Sequence, residues 1–94
     1  MPYRNPDEYF QPSDVKVFIV ERPEADILVV CWSDPRSGYY GDQIWRLRIA
    51  SKNGCCALSG KSIRRGDLVF RPATRPLPRN ADAMILSGEI PPSS

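Results

Sequence analysis

The chain has 94 residues, 41% hydrophobic and 26% charged, with a formal net charge of +2, three cysteines and no histidine. That is enough for one modest core and a single domain, and it excludes a histidine-based metal site, a histidine general base and a two-bridge disulfide framework. The apolar runs are far shorter than the ~20 residues that cross a bilayer as a helix, and Met1–Pro12 lacks the apolar stretch of a signal peptide. A cytoplasmic protein with reduced thiols is the expectation.

Eight of the ten prolines fall towards the ends, at Pro2, Pro6 and Pro12 and again at Pro72, Pro76, Pro78, Pro91 and Pro92. This predicts a flexible N-terminal segment over residues 1–14, one β domain over 15–88 and a disordered tail over 89–94. Val15–Glu21, VKVFIVE, is short, apolar and β-branched, which predicts a strand. Arg22–Asp26 follows as a turn, with Pro23 fixing φ. Ile27–Trp32, ILVVCW, is a nearly continuous apolar run suited to a central strand. Ser33–Asp42 is rich in turn formers and predicts a loop holding Tyr39 and Tyr40.

Gln43–Ala50 has the clearest alternation, with Trp45, Leu47 and Ile49 on one face and Ile44, Arg46 and Arg48 on the other. Asn53-Gly54 is a hairpin-turn signal. Cys55–Leu58 and Asp67–Arg71 then form two arms around a turn, with Leu68 and Phe70 facing inward. Beyond Pro72 the chain is extended until Asn80, which is suited to cap a short helix ending near Gly88. The fold class is therefore all-β: a small SH3-like barrel or strongly bent antiparallel sheet, with a knuckle-like hairpin and a short C-terminal helix.

Trp32-Ser33-Asp34-Pro35, Tyr40–Arg46 (YGDQIWR), Cys56–Gly60 (CALSG), Ile63–Asp67 (IRRGD) and Asn80–Leu86 (NADAMIL) occur together in this chain. The combination resembles a family of short bacterial proteins known only as a domain of unknown function, and the similarity covers about Val15–Leu86. The resemblance implies a compact bacterial domain and brings no catalytic residues with it.

Cys56-Ala57-Leu58-Ser59-Gly60 has the shape of a zinc knuckle in which Ser59 stands where the second thiolate belongs. Structural zinc takes four ligands, and the adjacent Cys55 and Cys56 point to opposite sides of an extended chain. No metal and no cofactor is expected, and Cys56 reads as a small core residue. Gly60-Lys61-Ser62 lacks the upstream glycine of a phosphate-binding loop, and Asp34 and Asp42 read as turn formers. No catalytic group stands out, so the chain reads as a binding protein rather than an enzyme.

Charge is divided along the sequence. Residues 1–44 hold four basic and eight acidic side chains, net −4, whereas residues 45–94 hold nine basic and three acidic, net +6. Arg46, Arg48, Lys61, Arg64, Arg65, Arg71 and Arg75, followed by Arg79, are the candidate contacts to the phosphates of DNA or RNA. Arginine suits bidentate phosphate recognition. An alternative partner is a peptide or cationic side chain held by an aromatic loop of Trp32, Tyr39 and Tyr40. The uncapped edge of such a sheet also allows self-association.

Overall fold

The computed structural model describes residues 15–91. The long strands are β1 (Lys16–Glu24), β2 (Ile27–Asp34), β3 (Gly38–Ile49) and β6 (Leu68–Pro72), and the two-residue strands are β4 (Gly54–Cys55), β5 (Ser62–Ile63) and β7 (Ile85–Leu86). Five of them form a curled antiparallel half-barrel in the order β1-β2-β3-β6-β7, while β4 and β5 pair with each other. The strongly bent sheet of the sequence reading is thus the observed architecture.

Alternation along β1, β2 and β3 decides which face becomes the core. Val17 lies opposite Trp32 and Ile19 opposite Val30, while Leu28 lies opposite Trp45. These inner-facing side chains join Phe70, Ile85 and Ile90 in one cluster around the fully buried Trp45. Burying each such side chain contributes about 1.5–3 kcal/mol. Val69, one residue before Phe70, is equally buried and belongs to the same cluster, so β6 is covered on both faces.

The inner layer includes one polar network. Gln43 and Asn80 are both buried and exchange amide hydrogen bonds, Gln43 Nε2 to Asn80 Oδ1 at 3.0 Å and Asn80 Nδ2 to Gln43 Oε1 at 2.9 Å. Trp45 Nε1 donates to the same Gln43 Oε1 at 2.9 Å. This explains where the expected C-terminal helix goes. Asn80 spends its side chain on Gln43 instead of capping a first turn, and Ile85–Leu86 pairs with β6, which satisfies its backbone in extended form. Only a 3-10 turn, Ser87–Glu89, remains of the expected helix.

Other expectations need correction as well. β1 continues through Pro23, which an edge strand tolerates because it lacks only an outward N–H, and Arg22 Nη2 closes the real turn on the Ala25 carbonyl at 2.7 Å. The expected Ser33–Asp42 loop shrinks to residues 35–37, so Tyr39 and Tyr40 lie on a strand. Asp34 explains it, since Oδ1 accepts the Arg36 N–H at 3.0 Å and Gly38 turns the chain with φ of 96°. The second arm, β6, pairs with β3 rather than with the chain after Asn53. Ile49 and Leu68, expected inward, form an exposed cross-strand pair beyond the end of the core.

The knuckle-like hairpin forms as a separate β4–β5 unit. Gly60 N–H donates to the Cys56 carbonyl at 2.8 Å, and Ser59 Oγ accepts the Lys61 N–H at 3.3 Å. Cys56 is buried, and its Sγ accepts the Leu86 N–H at 3.3 Å, which ties the hairpin to β7. Ile90, placed by the sequence in a disordered tail, is buried in the core. The expected N-terminal segment, residues 1–14, and residues 92–94 of the expected tail lie outside the described residues.

Candidate nucleic-acid interface

Register decides which arginines meet. Arg46 on β3 lies directly opposite Arg71 on β6, and Arg48, two positions on, lies opposite Val69. Opposite residues in an antiparallel pair project from the same face. Arg48, Arg71 and Arg75 line one hollow of about 240 Å³, together with Ile49, Pro72 and Leu77. Two of these guanidiniums are anchored by carbonyls: Arg48 Nη1 donates to Leu47 at 2.9 Å and Arg71 Nη2 to Ala81 at 3.2 Å. Each retains further N–H donors, since a guanidinium has about five.

Among the described residues the ion pairs are Lys52–Asp82 at 3.1 Å and Lys61–Glu89 at 2.9 Å, and neither involves this cluster. Like charges directly across a sheet are unfavourable. Among the described residues none of Arg46, Arg48, Arg71 and Arg75 is in an ion pair, although Glu24 stands in the same cross-strand row as Arg46, with Ile27 between them.

The other basic candidates are placed differently. Lys61 is held by Glu89, whose hydrogen bond and negative charge raise the ammonium above its ordinary pKa. Arg64 and Arg65 are exposed on the turn leading into β6, where Asp67 Oδ2 accepts the Arg64 N–H and Asn53 Oδ1 accepts the Arg65 N–H. That turn abuts Ala50, through Gly66 N–H to the Ala50 carbonyl at 2.8 Å. It thus sits four residues along β3 from Arg46, or about 13 Å at strand spacing. Arg79 lines a separate hollow of about 370 Å³ with Trp32 and Ser37, and the acidic Asp34 and Asp82 share that hollow.

The aromatic candidates also part company. Trp32 is buried at 4% exposure, 5.8 Å from the Trp45 ring, and its Nε1 donates to Ser37 Oγ at 3.0 Å. Ser37 in turn donates to Asp34 Oδ2 at 2.6 Å, so Trp32 is a structural residue. Tyr40 is half-buried, with its Oη accepting the Arg79 N–H at 3.0 Å. Tyr39 alone of the three is well exposed, at 70%.

One exposed aromatic, Phe18 at 66%, was not singled out by sequence reasoning. Its signal was there: in VKVFIVE the alternation sets Phe18 on the face opposite Val17 and Ile19. Phe18 lies opposite Cys31, and the Cys31 thiol donates to Tyr39 Oη at 3.7 Å. The same thiol pushes the Tyr39 phenol above its ordinary pKa.

Cys31, Cys55 and Cys56 are free, respectively half-buried, exposed and buried, and among the described residues no three His, Cys, Asp or Glu side chains gather in a way that could hold a metal ion.

With register, charge and burial fixed, comparison with known proteins places the chain. A family model described as a domain of unknown function (DUF3331) matches residues 4–91. The chain belongs to that family. No curated protein and no solved structure matches it. In this member of DUF3331, the side chains themselves carry the information on function.

Proposed function

We propose that this DUF3331 domain is a non-enzymatic binding module that takes nucleic acid, with Arg46, Arg48, Arg71 and Arg75 as its phosphate contacts. The observation that carries the reading is the cross-strand juxtaposition of Arg46 and Arg71, with Arg71 sharing one hollow with Arg48 and Arg75, and with none of the four in an ion pair among the described residues. A polyanion supplies the missing counter-charge, and arginine offers the planar donor geometry that phosphate oxygens accept. The aromatic-loop reading has less support, because Trp32 is buried and Tyr40 is tied to the backbone of Arg79.

The test is fluorescence anisotropy of the full chain against labelled oligonucleotides over a range of salt. With about four phosphate contacts at roughly 0.7 released counterions each, log K falls against log salt with a slope of about −3. That amounts to a loss of roughly 50-fold between about 50 and 200 mM salt. Absence of binding even at low salt overturns the proposal.

A further inference from the structure

The face of the sheet turned away from the core holds more than arginines. Phe18 and Cys31 are cross-strand partners, and so are Ser33 and Tyr39, which puts Phe18 and Tyr39 on one face of β1–β2–β3. The 3.7 Å contact between Cys31 Sγ and Tyr39 Oη places the phenol there directly. Ile27 lies opposite Arg46, and Arg46 opposite Arg71. Because Ile27, Val29, Cys31 and Ser33 alternate along β2, Arg46 and Arg71 belong to this same face. Val29 agrees with the assignment: it is buried yet stands outside the core cluster.

The outer face is thus graded. One end presents two exposed aromatic rings and the other presents paired guanidiniums, with the exposed Glu24 in the Arg46 row and Glu21 in the neighbouring Val29 row. From the Cys31 row to the Ile27 row is four residues, about 13 Å along the strands, and from the Ser33–Tyr39 row to the Ile27–Arg46 row is six residues of β2, about 20 Å at about 3.3 Å per residue.

We infer that this face is a platform for single-stranded nucleic acid, on which Phe18 and Tyr39 stack unpaired bases while Arg46 and Arg71 hold the phosphates a few nucleotides away. The inference rests on the nucleic-acid reading above and narrows its ligand. Base faces reach an aromatic side chain only when the strand is unpaired, and stacking is tolerant of sequence. A duplex offers its edges in grooves, and the major groove admits an α-helix or a two-stranded ribbon. The described residues contain no α-helix to enter it, and the two exposed aromatic rings stand on one face of the β1–β2–β3 sheet.

The experiment measures the affinity of a short labelled single strand, as DNA and as RNA, and of the matching DNA duplex, at low salt. It compares the wild-type chain, Phe18→Ala with Tyr39→Ala, and Phe18→Leu with Tyr39→Leu. The leucine pair keeps apolar bulk on the sheet, so a loss of binding in that variant reports the rings rather than unfolding. Tighter binding of the single strand than of the duplex is expected. Both aromatic variants are expected to weaken single-strand binding by roughly 30-fold or more, with the salt slope and the duplex affinity unchanged.

Binding that is indifferent to strandedness and to both aromatic variants overturns this inference but leaves the arginine surface standing. Absence of binding to every oligonucleotide overturns both. Saturable binding of a proline-rich peptide that needs Phe18 and Tyr39, without single-strand binding, overturns the inference in favour of a protein ligand.

Discussion

Gln43 is the residue on which the interior turns. Its side-chain oxygen accepts from both Trp45 Nε1 and Asn80 Nδ2, while its own amide donates to Asn80 Oδ1. Such a network is costly to break, since a buried polar group left unpaired loses about 1–3 kcal/mol. Asn80→Ala removes one acceptor and one donor from Gln43 and is expected to destabilise the fold by about 1–3 kcal/mol in urea unfolding. An unchanged midpoint would mean that the Gln43–Asn80 pair does not hold the C-terminal segment. Trp45 was legible as core because the period-two pattern of Gln43–Ala50 assigns it a face. Asn80 was not, because its partner is 37 residues away and its local context fits a helix cap equally well. Trp32 was ambiguous for a similar reason: Ser37, the hydroxyl that satisfies its indole, sits in a turn whose course the sequence does not fix.

At the scale of elements, the β4–β5 hairpin keeps a knuckle's turn with different chemistry inside it. Cys56 Sγ faces the Leu86 N–H and Ser59 Oγ faces the Lys61 N–H, so each heteroatom is engaged by backbone. The turn depends on Gly60, with φ of 78°, where a side chain is strained even though open space surrounds it. Gly60→Ala is therefore expected to cost about 1–2 kcal/mol. Gly88→Ala, which meets no neighbouring atom and has no left-handed φ, serves as the near-neutral control. Equal unfolding midpoints for the two variants would show that the hairpin turn is not under this constraint. The hairpin and the long strands were readable from the sequence because alternation and turn chemistry are local signals. Pairing partners were not. That β6 joins β3 and leaves β4–β5 outside the main sheet is decided by Phe70 and Val69 filling the core, not by the Asn53-Gly54 signal.

At the scale of the whole molecule, the division of charge seen in the sequence is partly offset by pairing among the described residues. Lys52 and Lys61 are drawn into pairs with Asp82 and Glu89, whereas the arginines of β3, β6 and the following loop are in no ion pair among the described residues. The sequence could rank these arginines only by count and spacing. The cross-strand register is what brings Arg46 to Arg71 and leaves Arg64 and Arg65 on a separate turn. The most direct measurement is Arg46→Glu, followed by both unfolding and oligonucleotide binding. The new carboxylate stands opposite Arg71, so stability is expected to hold or rise by about 0.2–1 kcal/mol. Affinity for nucleic acid at low salt is expected to fall roughly tenfold or more, because a phosphate contact becomes a repulsion. A stable variant that binds as tightly as the wild-type chain would contradict the account.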